Sequence, residues 1–125
     1  MNSGVLMIVL TLVDGGGMSA AFVNTASVEE CERRGRGVNA ILTSQKISIE
    51  PLVCRDSEAR FEAFTHGGTS AQTHTYLVTF NDRRAWISRQ PDGATCARAT
   101  LATDAPPNTA RYCATSTQKL LTEGN

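Results

Sequence analysis

Four cysteines recur in two similar settings, and this recurrence constrains the fold more than any other feature of the chain. Ser27 precedes Cys31 by four residues, and Asp92 precedes Cys96 by the same interval. Ser and Asp are preferred helix N-caps, so each spacing predicts a cysteine in the first turns of a helix. The remaining two cysteines each follow in a later segment with strand character, and they are Cys54 and Cys113.

The N-terminal residues predict a β-hairpin. The apolar run 4–13 ends at the loop 14–17, which contains three consecutive glycines, and a second apolar run covers 18–23. A secretory signal with cleavage before Phe22 is the alternative, although no Lys or Arg precedes Arg33 to form the basic region of such a signal. The first run is also too short for a transmembrane helix, which needs about 20 apolar residues. A buried strand and a cytoplasmic location are therefore favoured, with secretion or a periplasmic location as the alternative.

The hairpin is followed by a helix and a strand. Ser27 and Glu30 form the pattern of a capping box, which predicts a helix beginning directly after Ser27. Gly35 and Gly37 are expected to weaken or end that helix, and its resumption over 38–42 is the alternative. Pro51 lies in the next extended segment, and because proline cannot donate a backbone hydrogen bond, we expect this strand at a sheet edge.

The C-terminal half repeats the order. Residues 76–80 and 83–89 flank the turn residues Asn81 and Asp82 and predict a second hairpin. A helix is predicted from 93 to 101, followed by a strand over 110–114 and a last turn of helix over 116–121.

These elements predict an α+β fold built from two β-β-α-β units, with mainly antiparallel sheets and helices on one face. We assign residues 1–57 to the first unit, 58–75 to a linker or loop, and 76–125 to the second unit. In the first part of the linker, Phe61 and Phe64 are expected to anchor the chain. The shared order indicates an internal duplication, and coincidence is the alternative, because hairpins followed by helices are common. A short edge strand on either unit could pair between two chains and so form a homodimer.

Disulfide bonds are the favoured use of the cysteines. The chain has no Cys-x-x-Cys pair of the kind that binds structural zinc, and His66 and His74 are distant from all four cysteines in the sequence. We therefore predict no metal and no cofactor. Four cysteines allow three pairings, and the repeated order selects Cys31 with Cys54 and Cys96 with Cys113. Four reduced and buried thiols remain the alternative, since the redox state depends on the compartment.

The second hairpin contains the candidate binding surface. With its turn at Asn81 and Asp82, alternation places one set of side chains in the core, namely Tyr76, Val78, Phe80, Ala85 and Ile87. Leu77, Thr79, Arg84, Trp86 and Ser88 then lie on the opposite face. Trp beside Arg is typical of protein-binding hot spots. We predict a binding site formed by Arg83, Arg84, Trp86 and Arg89, unless Trp86 is covered by the helix 93–101 or by the first unit.

Residues 4–57 resemble short, uncharacterised bacteriophage and bacterial proteins. The likeness rests on the strand residues 6–13, the glycines of the turn, the segment Ala21-Phe22-Val23-Asn24, the helix sequence Glu29-Glu30-Cys31-Glu32, and the closing pair Val53-Cys54. The resemblance implies an α/β architecture and a phage-like origin, and it brings no activity with it. No such likeness covers residues 61–125.

Composition favours binding over catalysis. The 125 residues include 12 basic and 12 acidic side chains, and this balance makes nucleic acid an improbable general partner. No catalytic signature accompanies the cysteines or histidines, so we predict no enzymatic activity and no catalytic residues. The favoured function is that of a small phage or mobile-element accessory protein that binds another protein, such as a host or defence factor that it inhibits. The alternatives are a secreted or periplasmic disulfide-stapled domain, and a nucleic-acid-binding module that uses strand 83–89.

Overall fold

A computed structural model describes residues 4–13, 17–62, 73–101 and 108–122. Its elements follow in chain order: β1 (Gly4–Leu12), β2 (Met18–Thr25), α1 (Val28–Ser44), β3 (Ile49–Ser57), β4 (Arg60–Phe61), β5 (His74–Phe80), β6 (Ala85–Gln90), α2 (Gly93–Thr100), β7 (Ala110–Ser116) and β8 (Leu120–Thr122). The α+β class is confirmed, and both predicted hairpins form. The alternative with helix over 38–42 agrees with the structure, in which α1 is continuous through Gly35 and Gly37. The expected last turn of helix was wrong, because a bend and β8 take its place.

One mixed sheet contains strands from both predicted units. Its order is β3-β1-β2-β7-β5-β6, and β4 and β8 form a separate two-stranded sheet. We expected the units to form sheets of their own, but a three-stranded sheet exposes two unpaired edges, and in the shared sheet these edges meet at one residue pair on each side. Arg60 and Phe61 lie in the predicted linker and form β4, while Phe64 and His66 fall outside the described residues. The predicted unit boundaries stay a prediction.

The two units have the same internal strand order. In each, the first strand lies between the second and third and is antiparallel to both, as β1 is to β2 and β3, and β5 is to β6 and β7. The units meet through parallel contacts. Strand β2 pairs with β7, and a parallel bridge joins the end of β3 to the residue before β6. The sheet therefore curls until its two edge strands touch.

The two contacts between the units occupy equivalent positions. Ser19 faces Thr115 in one contact, and Arg84 faces Asp56 in the other. Ser19 and Arg84 each lie eight residues before a helix N-cap, and Thr115 and Asp56 each follow a cysteine by two residues. The halves thus join in the same way at both places.

Strand β1 lies inside the sheet and is buried on both faces. Its inward side chains join the main core, and they are Leu6, Ile8 and Leu10. Its outward side chains pack with Cys31 beneath α1, and they are Val5, Met7 and Val9. Cleavage before Phe22 would remove this strand, so a processed chain of that kind could not keep the fold.

An aromatic cluster joins the two halves inside the curled sheet. The ring of Phe61 stacks on that of Phe22 with centroids 4.0 Å apart, and Tyr76 packs edge-on against both. The expected anchoring role of Phe61 is confirmed. The predicted core face of the second hairpin is also confirmed, because all five of its side chains are buried: Tyr76, Val78, Phe80, Ala85 and Ile87.

Gln118 connects the C-terminal segment to the first hairpin. The Phe22 N–H donates to its Oε1 at 2.7 Å, and its Nε2 donates to the Phe22 carbonyl at 2.7 Å and to the Glu62 carbonyl at 3.0 Å. The amide side chain therefore occupies the place that a further strand residue would take beside β2. Burial raises the pKa of Tyr76, whose hydroxyl donates to the Gln118 carbonyl at 2.8 Å and accepts from Leu120 N–H.

Gly35 lets α1 lie close to the sheet. A Cβ atom at this buried position would stand 3.0 Å from Cδ2 of Leu52, whereas one at Gly37 would meet nothing within 4 Å. Packing against β1 and β3 outweighs the helix-breaking tendency of glycine, which costs about 1 kcal/mol relative to alanine. This tertiary contact explains why α1 continues where the sequence predicts weakness.

Gln118→Leu tests the amide as a structural link. The substitution leaves two backbone groups of the buried Phe22 without these partners, so we expect the free energy of unfolding to fall by about 2–4 kcal/mol. The exposed Gln45→Leu is the control and should change stability by less than about 0.5 kcal/mol. Denaturant unfolding with intact disulfides measures both. Equal stability of the two variants would contradict the role of Gln118.

The two helical glycines make a matched pair. Gly37→Ala should raise the free energy of unfolding by up to about 1 kcal/mol, because alanine favours helix and the space is open. Gly35→Ala gains the same propensity but presses on Leu52, so its effect should be less favourable. Denaturant midpoints compare the two variants, and equal gains would show that α1 does not need the close approach.

Candidate protein-binding surface

The predicted binding residues do not form one continuous face. Trp86 and Arg84 are half-buried and lie on the outer side of the hairpin, where Trp86 is the cross-strand partner of Thr79. Arg83 is exposed in the turn before β6. Arg89 is exposed at the far end of β6, on the alternation shared with Ala85 and Ile87. The structure therefore places only Arg84 and Trp86 side by side.

The turn between β5 and β6 fixes the position of Arg84. The side chain of Asn81 accepts hydrogen bonds from the N–H groups of Arg83 and Arg84 at 2.9 and 2.8 Å. The Arg84 guanidinium lies 3.1 Å from the Glu58 carboxylate, and the Arg83 carbonyl accepts from Asp56 N–H. Contacts with Asn81, Glu58 and Asp56 thus hold this arginine beside Trp86.

The helices leave the outer faces of two strands largely open. Helix α1 packs mainly on β3 and β1, and α2 mainly on β5 and β7. The outer face of β6 includes Trp86, and the outer face of β2 includes Ala21 and Val23, all three half-buried. Because β2 and β6 are the second strands of their units, the open surfaces occur at equivalent places.

The open face of β2 forms an apolar cleft with α1. The cleft has a volume of about 490 Å³, and its lining includes Met7, Val9, Ala21, Val23, Ile41 and Leu42. A wider and more polar hollow lies on the other side of α1, against β3. The sequence interpretation missed the cleft, although the small residues at alternate positions of β2 were a usable signal.

Both cysteine pairs connect a helix to a strand of its own unit. Cys31 is bonded to Cys54 with Cα atoms 6.0 Å apart, and Cys96 to Cys113 with Cα atoms 5.9 Å apart. This is the pairing that the repeated order selects. In each case the helix begins at the predicted N-cap, where Ser27 accepts from Glu30 N–H and Asp92 from Thr95 N–H. The hydrogen bond from Thr95 N–H also lowers the pKa of Asp92.

Among the described residues, no group of three or more His, Cys, Asp or Glu side chains is placed to hold a metal ion, and no helix there is long and apolar enough to cross a membrane. His74 lies in β5 with its ring 6.2 Å from that of Tyr76.

Comparisons with known proteins bring no relative to this site. No protein family, no curated protein and no solved structure matches the chain. The surfaces above therefore stand on the geometry of this chain alone.

The disulfides should contribute measurably to stability. Their sequence separations are 23 and 17 residues, for which constraint of the unfolded chain predicts about 3 kcal/mol each. Replacing Cys31 and Cys54 together by serine, or Cys96 and Cys113 together, should lower the free energy of unfolding by that amount. Non-reducing peptide mapping of the unmodified protein provides the control, and a bond between Cys31 and Cys96 would contradict the assigned pairing.

Proposed function

We propose that this chain is a non-enzymatic domain that binds another protein through the outer face of β6. Trp86 is the observation that carries the proposal, because a large aromatic side chain stays partly exposed on a strand that α2 contacts less than it contacts β5 and β7. Tryptophan and arginine are the residue types most enriched at binding hot spots. Arg84 is already positioned by Asn81 and Glu58, which reduces the conformational entropy lost on binding.

A protein partner accounts for this surface better than a nucleic acid does. The three arginines of this region do not share a face, because Arg83 lies in the turn and Arg84 and Arg89 lie on opposite alternations. Arg84 is also paired with Glu58. The chain has no net charge, so it lacks the broad positive potential that draws in a phosphate backbone. Nucleic-acid binding is one of the outcomes that the binding experiment distinguishes.

We further propose that the domain works in an oxidising compartment. Two disulfides that join helices to strands are typical of extracellular or periplasmic proteins, where such bonds persist. We therefore propose an extracellular or periplasmic location instead of the cytoplasmic one that the sequence favoured. Because β1 is central to the sheet, the mature protein should retain residues 4–12, and intact mass of protein from its host would report this directly.

An accessory role of the phage or mobile-element type rests on the resemblance of residues 4–57 alone. We propose duplication of a β-β-α-β unit as the origin of the two halves, supported by their common strand order and by the equal spacing of cap and cysteine. A related sequence that encodes one unit and assembles as a dimer would provide the test.

Trp86→Ala should abolish most of the affinity for a partner. The partner is first identified by cross-linking and mass spectrometry in native-host material, and its Kd is then measured with purified proteins. Loss of a hot-spot tryptophan costs about 2 kcal/mol or more, so we expect a Kd at least about 30-fold higher.

Leu101→Ala is the control, since Leu101 is 79% exposed and lies at the end of α2 instead of on β6. An unchanged Kd for the Trp86 variant, or the lack of any specific protein partner, would reject the proposal. Binding to nucleic acid that weakens steeply with added salt would favour the alternative.

A further inference from the structure

The cleft between α1 and β2 is an apolar surface on the opposite unit from Trp86. Its floor is formed by outward side chains of β1 and β2, including Val9 and Ala21, and its wall by residues of α1 such as Leu42. Ile41 stands at the wall and is 58% exposed, a large value for an isoleucine. The volume of about 490 Å³ lies within the range of clefts that hold ligands.

The second unit has a much larger side chain at the equivalent position. Ala21 lies six residues before the N-cap of α1, and Trp86 lies six residues before the N-cap of α2. Their cross-strand partners are also equivalent, since Ala21 faces Val9 on β1 and Trp86 faces Thr79 on β5. An indole ring thus lies on the outer face of β6 at the place where β2 has only a methyl group.

The helices of the two units differ in length. Helix α2 has 8 residues and α1 has 17, so α1 extends beyond the disulfide and forms a wall along the small side chains of β2. The first unit therefore has an open apolar slot at the strand position where the second unit has its own tryptophan. Hydroxyl groups of Thr11 and Ser19 also line the slot and provide partners for a ring N–H or O–H.

We propose that this cleft binds one aromatic side chain, tryptophan or tyrosine, presented by a partner protein. The site is separate from the outer face of β6, so it does not depend on the proposed function of Trp86. Apolar walls supply the affinity, and the two hydroxyl groups favour an aromatic group with a polar atom over a plain hydrocarbon chain.

N-acetyl-tryptophanamide is the probe, and methyl NMR of the disulfide-bonded protein is the measurement. Saturable shifts should appear at the methyl groups of Val23, Ile41 and Leu42, with a Kd on the order of 1 mM. N-acetyl-leucinamide and sodium decanoate, below its micelle concentration, are the comparison probes and should bind at least about tenfold more weakly.

Two variants connect the shifts to the cleft. Ala21→Trp supplies the ring from within the chain and should remove the response, whereas Ala21→Ser should keep it. Ile41→Lys changes an exposed side chain, so the fold should persist, and it should raise the Kd at least about tenfold. Amide spectra and disulfide content report folding of each variant.

Several outcomes would overturn the proposal. They are the absence of saturable shifts, equal binding of the leucine probe, tighter binding of decanoate, and an unchanged Kd in the folded Ile41→Lys variant. None of them involves Trp86, so failure here and failure of the β6 surface are separate results.

Discussion

Burial of β1 on both of its faces is the constraint on which the rest of the structure depends. Its inward side chains require the curled sheet to close around them, and its outward side chains require a covering helix. The disulfide between Cys31 and Cys54 then fixes that helix to β3, the neighbour of β1. Strand β5 has the corresponding place in the second unit, with α2 and its disulfide on the outer side. The fold is thus organised around two central strands.

Local patterns in the sequence were sufficient for much of this architecture. The caps at Ser27 and Asp92 begin both helices, and alternation around the second turn assigned the buried face of β5 and β6 correctly. The contacts between the units could not be predicted, because they depend on residues far apart in the chain. Gln118 reads as an ordinary surface amide until Phe22, 96 residues away, is placed beside it. The role of Gly35 could not be predicted for the same reason, since it depends on the close approach of Leu52, which lies on another element.

The candidate surfaces were also predictable only where they depend on local sequence patterns. Alternation in the sequence placed Trp86 and Arg84 on one outer face and Arg89 on the opposite face, but it could not show that Glu58 reaches Arg84. The cleft beside Ala21 depends on where α1 crosses the sheet and on how far it extends. At equivalent positions, β6 has a large side chain and β2 has an open cleft beside it. The two proposed binding surfaces thus differ in shape at equivalent strand positions.

The bond between Gln118 and Phe22 also sets the order in which the chain can reach its final state. Residues near the end of the protein complete the hydrogen bonding of a strand made near its beginning. A growing polypeptide therefore cannot finish the shared sheet until synthesis has passed residue 118, whatever local hairpins form earlier. Contacts of such long range slow folding because loop closure precedes the gain from pairing. In the oxidising location that we propose, the chain would cross a membrane before its disulfides form, and slow folding would favour the unfolded state that translocation requires.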